Sequence, residues 1–149
     1  MARRSAINAV ADGVKAALDV AALRAQALAP GGVYRGRPNA QRPPFVSIGP
    51  CSEVPYDAMG LNYGAIVTVP IHAITNGTDA NGESRCASIL DKVMELLDEP
   101  STVTATGYTV RQKLWMGTTI GPDENLLVLT GDPSGIDGVA TFEFTVWPT

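Results

Sequence analysis

His72 is the one imidazole in a chain of 149 residues, so any acid–base chemistry that calls for a histidine rests on it. It sits inside the apolar stretch "IVTVPIHAIT", with no acid or nucleophile held beside it by local spacing. A strand histidine satisfied by its neighbours is the expectation. Cys51 and Cys86 show no CxxC spacing, and two cysteines with one histidine cannot complete a Cys/His zinc site. They read as two reduced thiols. The aspartates of "DPSGIDG" lack the alternating ligands and closing glutamate of a calcium loop, so that stretch reads as a turn. Asp98-Glu99 before Pro100 reads as a solvated helix end. Asn76-Gly77-Thr78 fits a glycosylation acceptor, but with no secretory leader recognised it reads as a turn too. No GxxxxGK[ST] phosphate loop, no GxGxxG after a strand and no GxSxG elbow occurs. The expectation is a protein with no catalytic residue, no metal and no cofactor.

The elements that would position a site are clearer. Ile7, Val10, Val14, Leu18, Ala21, Ala25 and Leu28 form an apolar stripe that predicts a helix over residues 4–29, with Ser5 as N-cap and Pro30-Gly31-Gly32 as its end. A short strand follows from Phe45 to Gly49, then an irregular stretch over 50–62. The strongest strand pattern runs over 63–75. Val67, Val69, Ile71 and Ala73 face one way; Thr68, Pro70, His72 and Ile74 face the other. Pro70 points to an edge or a bulge. A second amphipathic helix over 83–98 puts Cys86, Ile89, Leu90, Val93, Met94 and Leu97 on one stripe, ending at Pro100. Strands are expected over 107–117, with Tyr108, Val110 and Leu114 inward, and over 125–130. The closing strand has Ala140, Phe142, Phe144 and Val146 inward. The later strands follow one another without helices, so they should be antiparallel. The reading is an α+β fold over residues 1–149: one mainly antiparallel sheet with two helices packed on one face.

Composition narrows the function classes. Apolar residues make up 45% and charged residues 17%, so a packed core is expected rather than a disordered or coiled chain. No apolar run approaches the ~20 residues of a membrane span, and a soluble, unprocessed protein is expected. The net charge of −4 is unevenly placed. Residues 1–42 hold seven of the eleven Lys/Arg against Asp12 and Asp19, giving +5; the remainder carries four basic and thirteen acidic residues, giving −9. This split argues against a general nucleic-acid binder and fits a protein whose two ends meet different surfaces.

Two groups of residues are candidates for such contacts. The segment "VYRGRPNAQRPPFVSIG" gathers Arg35, Arg37 and Arg42 with no acid among them, and Pro43-Pro44 leads it into the strand. Trp115 and Trp147 each fall on the more polar side of an alternating strand, which suggests a contact surface or a loop folded over them.

Read in order, the alanine-rich helix, "VYRGRPNAQRPPFVSIG", "IVTVPIHAIT", "ASILDKVMELLD" and "GVATFEFTVW" resemble the tail-terminator (tail-completion) proteins of long-tailed bacteriophages over nearly the whole chain. The resemblance implies a virion protein, assembled in the bacterial cytoplasm and placed at the tail–neck junction. It implies a homo-oligomeric ring of six that caps the tube of major tail protein, ends its polymerisation and meets a neck or connector protein, with DNA passing through the lumen unbound. Tyr34 and Phe45 should then anchor the arginine segment. Its arginines would meet an acidic neighbour, solvent or DNA. A neck or head-closure protein is the alternative within the same class. A small-molecule-binding or enzymatic α+β domain is the alternative outside it.

Overall fold

The computed structural model describes residues 5–20, 31–36, 44–56, 64–76, 82–98, 103–123 and 135–149. Among these, two helices and one six-stranded sheet appear: α1 (Ile7–Leu18), β1 (Val33–Arg35), β2 (Phe45–Ile48), β3 (Ser52–Tyr56), β4 (Gly64–Asn76), α2 (Gly82–Leu96), β5 (Tyr108–Pro122) and β6 (Gly135–Pro148). The expected α+β architecture is the one found.

The strands run β1-β2-β4-β6-β5 across the sheet, with β3 also paired to β4. Only β1 with β2 is parallel; the other pairings are antiparallel. β2 pairs with Ile71–Ile74 and β3 with Gly64–Thr68, so the two lie end to end along one side of β4. At one end of the sheet the outermost strands are therefore β3 and β5. At the other they are β1 and β5.

This arrangement explains Pro70. β4 is a central strand, not the edge that its proline suggested. The Pro70 carbonyl accepts from the Gly49 N–H at 2.9 Å, so Pro70 directs its backbone groups toward the junction of β2 and β3. The donor that proline lacks is missing where neither strand pairs with it, and the ladder to β6 continues past it.

One face of the sheet carries the core. Val67, Val69, Ile71 and Ala73 of β4 and Ala140, Phe142, Phe144 and Val146 of β6 are all inaccessible to solvent. Val67 lies opposite Phe144, Val69 opposite Phe142 and Ile71 opposite Ala140, so each of these pairs shares a face. Onto them α1 packs Val10, Val14 and Leu18, and α2 packs Cys86, Ile89, Leu90 and Val93, with Leu97 just past its end. Each such side chain contributes about 1.5–3 kcal/mol by leaving water. Gly138 lets α2 come close: a Cβ there would collide with the Cys86 sulfur. The Cys86 thiol donates to the Ala73 carbonyl at 3.3 Å.

Four expectations need correction. The first helix ends at Leu18, because Asp19 takes the C-cap with ψ 63°, outside the helical region; residues 21–30 lie outside the described part. Ser5 is not the N-cap. Ala6 is, and the Glu53 carboxylate of β3 accepts its N–H at 2.7 Å, while the Ser5 hydroxyl donates to the same oxygen and accepts from the Ile7 N–H. The stretch over 50–62 is not wholly irregular, since Ser52–Tyr56 is a strand. In β5, register shifts at Val110/Gln112 and Trp115/Gly117 break the simple alternation. Leu114, expected inward, lies opposite Glu143 on the outer face; Lys113 instead sits on the helix side, its Nζ 5.9 Å from the Phe142 ring centre. The strand expected at 125–130 lies outside the described residues.

Candidate interaction surfaces

His72 has a partner that sequence proximity could not reveal. Its Nδ1 lies 3.0 and 3.1 Å from the two carboxylate oxygens of Asp137, joining β4 to β6 on the outer face. Ser47 of β2 lies directly across from His72, so a serine, a histidine and an aspartate meet on three adjacent strands beside a cleft of about 290 Å³. The geometry does not join them into a relay. The Ser47 hydroxyl donates to the Gly36 carbonyl at 2.8 Å, and the Nε2 edge of His72 packs against Gly49 so closely that a Cβ there would stand 2.8 Å from it. The His72–Asp137 pair clamps β4 to β6, and Ser47 ties β2 to the residue that follows β1. Among the described residues no three His, Cys, Asp or Glu side chains gather to hold a metal ion.

Both cysteines are free thiols. Burial pushes the Cys86 thiol up to about 11, with the Asp137 carboxylate adding to the shift. Burial also raises Cys51, against the pull of Arg35. Thiols shifted this way are poor nucleophiles at neutral pH.

The arginine segment is anchored as the aromatic residues suggested. Tyr34 meets Phe45 edge-on at 6.2 Å, and its hydroxyl donates to the Gly31 carbonyl at 2.6 Å. Arg35 points to the helix side and engages α1, donating to Asp12 Oδ1 at 3.0 Å and Asn8 Oδ1 at 3.1 Å. It is thus tied within its own chain, by a surface pair of the kind that adds under ~1 kcal/mol. Arg37 and Arg42 lie outside the described residues.

The tryptophans separate. Trp147 is on the outer face, half-buried between Gly64 and the Tyr56 ring, which meets it edge-on at 5.5 Å. Trp115 is not on the outer face. The register shift before it places it opposite the buried Phe142, on the helix side, yet at the sheet edge it stays 46% exposed. It stands in a run with Leu114 (48% exposed) and Met116 (52%). Val54 and Tyr56 of β3, at 58% and 42%, complete the exposed large apolar side chains among the described residues. Sequence reading missed Val54, Tyr56, Leu114 and Met116. The contiguous triplet Leu-Trp-Met in a strand was the available signal, because alternation cannot bury three neighbours at once.

No protein-family model matches the chain, and no curated protein sequence does. A solved structure does. The fold recurs in a chain of a native gene transfer agent virion. That chain superposes with a TM-score of 0.70 at 19% identity, over 93% of this protein and 97% of the virion chain. At this identity the likeness speaks for the fold alone.

Proposed function

We propose that this protein is a phage-type virion component that forms a ring on the end of the tail tube, stops its growth and joins it to the neck. The observation that carries this reading is the shared fold over 93% and 97% of the two chains, the partner in that comparison being part of a virion particle. The tail-terminator resemblance of the ordered sequence segments points the same way and supplies the finer placement. Partners are then further copies of the chain, the major tail protein and a neck or connector protein. Exposed apolar side chains on two strands are what an assembly subunit offers.

Deleting the gene and imaging the lysate tests this. The proposal expects filled heads without tails, beside free tails of irregular, excessive length. Tails of normal length beside heads that leak DNA would assign the protein to head closure instead. Normal particles would remove it from assembly altogether.

A further inference from the structure

The five exposed large apolar side chains among the described residues do not form one patch. Val54 and Tyr56 are on β3, and Leu114, Trp115 and Met116 are on β5. At that end of the sheet the order is β3-β4-β6-β5, so the two groups occupy opposite edges. They are also nearly level: Val54 pairs with Ile66, Ile66 with Thr145, and Thr145 with Gln112, two residues from Leu114.

Charge separates the two edges as well. β5 carries Arg111 and Lys113, and no Asp or Glu occurs between positions 100 and 122. β3 carries Glu53, and no Lys or Arg occurs between positions 43 and 84. Two copies meeting β5 to β5 would oppose two basic residues with two more, and β3 to β3 would oppose acids. β3 to β5 joins apolar to apolar and sets an edge of negative charge, its Glu53 already held by the start of α1, beside an edge of positive charge.

We infer that neighbouring copies of this chain pack head to tail, the outer face of the β3 edge of one copy lapped over the helix-side face of the β5 edge of the next, with Tyr56 and Trp115 as the aromatic anchors. This rests on the ring reading above and names the surfaces that would close the ring. Two different patches on opposite sides make a heterologous contact, and such contacts generate rings when the rotation closes. The contact is made by side chains. The two bulges interrupt the outer ladder of β5, which is how edge strands avoid adding a further strand. Buried aromatic anchors at the centre of an interface carry a disproportionate share of its energy.

Cross-linking within assembled particles tests it. Cys51 is first replaced by serine, leaving only the buried Cys86. Particles are then made with Val54→Cys and Trp115→Cys in one chain, and with each alone, and treated with a short bismaleimide. The expected result is a ladder of multimers on a denaturing gel for the double variant and no multimer for either single variant. Dimers from Trp115→Cys alone would mean a two-fold β5 contact and overturn the inference. A ring visible in the particles without any cross-link would also overturn it, while leaving the ring reading intact. Particles holding no ring of this chain would remove both. Denaturant melts of the purified variants, within the range of the parent, establish that the substitutions leave the fold unchanged.

Discussion

β5 and β6 are neighbours of almost equal length, 15 and 14 residues, yet they are built for different surroundings. From Gly138 onward β6 alternates without a break. Its Ala140, Phe142, Phe144 and Val146 are fully buried, and the residues between them are half-buried. β5 has no fully buried residue at all, carries two register shifts, and exposes Leu114, Trp115 and Met116 in succession. The difference teaches that one hairpin serves two purposes. Its inner strand holds the subunit together under α1 and α2, and its outer strand leaves large apolar side chains uncovered.

Substitutions sharpen or break this contrast. Phe144→Ala removes a large side chain from a site with no room to collapse and should cost about 3–5 kcal/mol, measured by denaturant unfolding of the isolated subunit. That is a large share of the ~5–15 kcal/mol typical of a domain. Gly138→Ala drives a methyl group into Cys86 at the contact between α2 and β6 and should cost ~1–3 kcal/mol by overpacking; an unchanged midpoint would mean that α2 stands off the sheet. Glu53→Ala removes the acceptor that β3 supplies to the start of α1 and should cost about 1 kcal/mol. Leu114→Ala should change the stability of the isolated subunit by less than ~0.5 kcal/mol. If Leu114→Ala cost as much as Phe144→Ala, the two strands would not differ in the way described.

The same contrast marks what could be read from the chain. The inward faces of β4 and β6 and the stripe of α2 were legible, because unbroken periods of two and of 3.6 residues map directly onto faces. β5 was misread from the first bulge onward, since an inserted residue leaves no mark in an alternating pattern and reverses the faces until the next bulge restores them. β3 was missed because "SEVPY" is short, mostly polar and contains Pro55, which a strand tolerates at an edge. The tie between His72 and Asp137 spans 65 positions, and only the pairing of β4 with β6 brings them together. Arg35 looked available from its neighbours in sequence, but Asp12 and Asn8 wait for it one α-helical turn apart on α1. The exposed apolar residues were the least legible, because exposure is a property of what the fold leaves uncovered.

The most direct measurement is a reconstruction of the particle at the upper end of the tail. It should show this chain as a closed, six-fold ring of identical copies between the last layer of tube protein and the neck. A single copy there, or density for this chain in the head, the baseplate or nowhere in the particle, would contradict the proposed role.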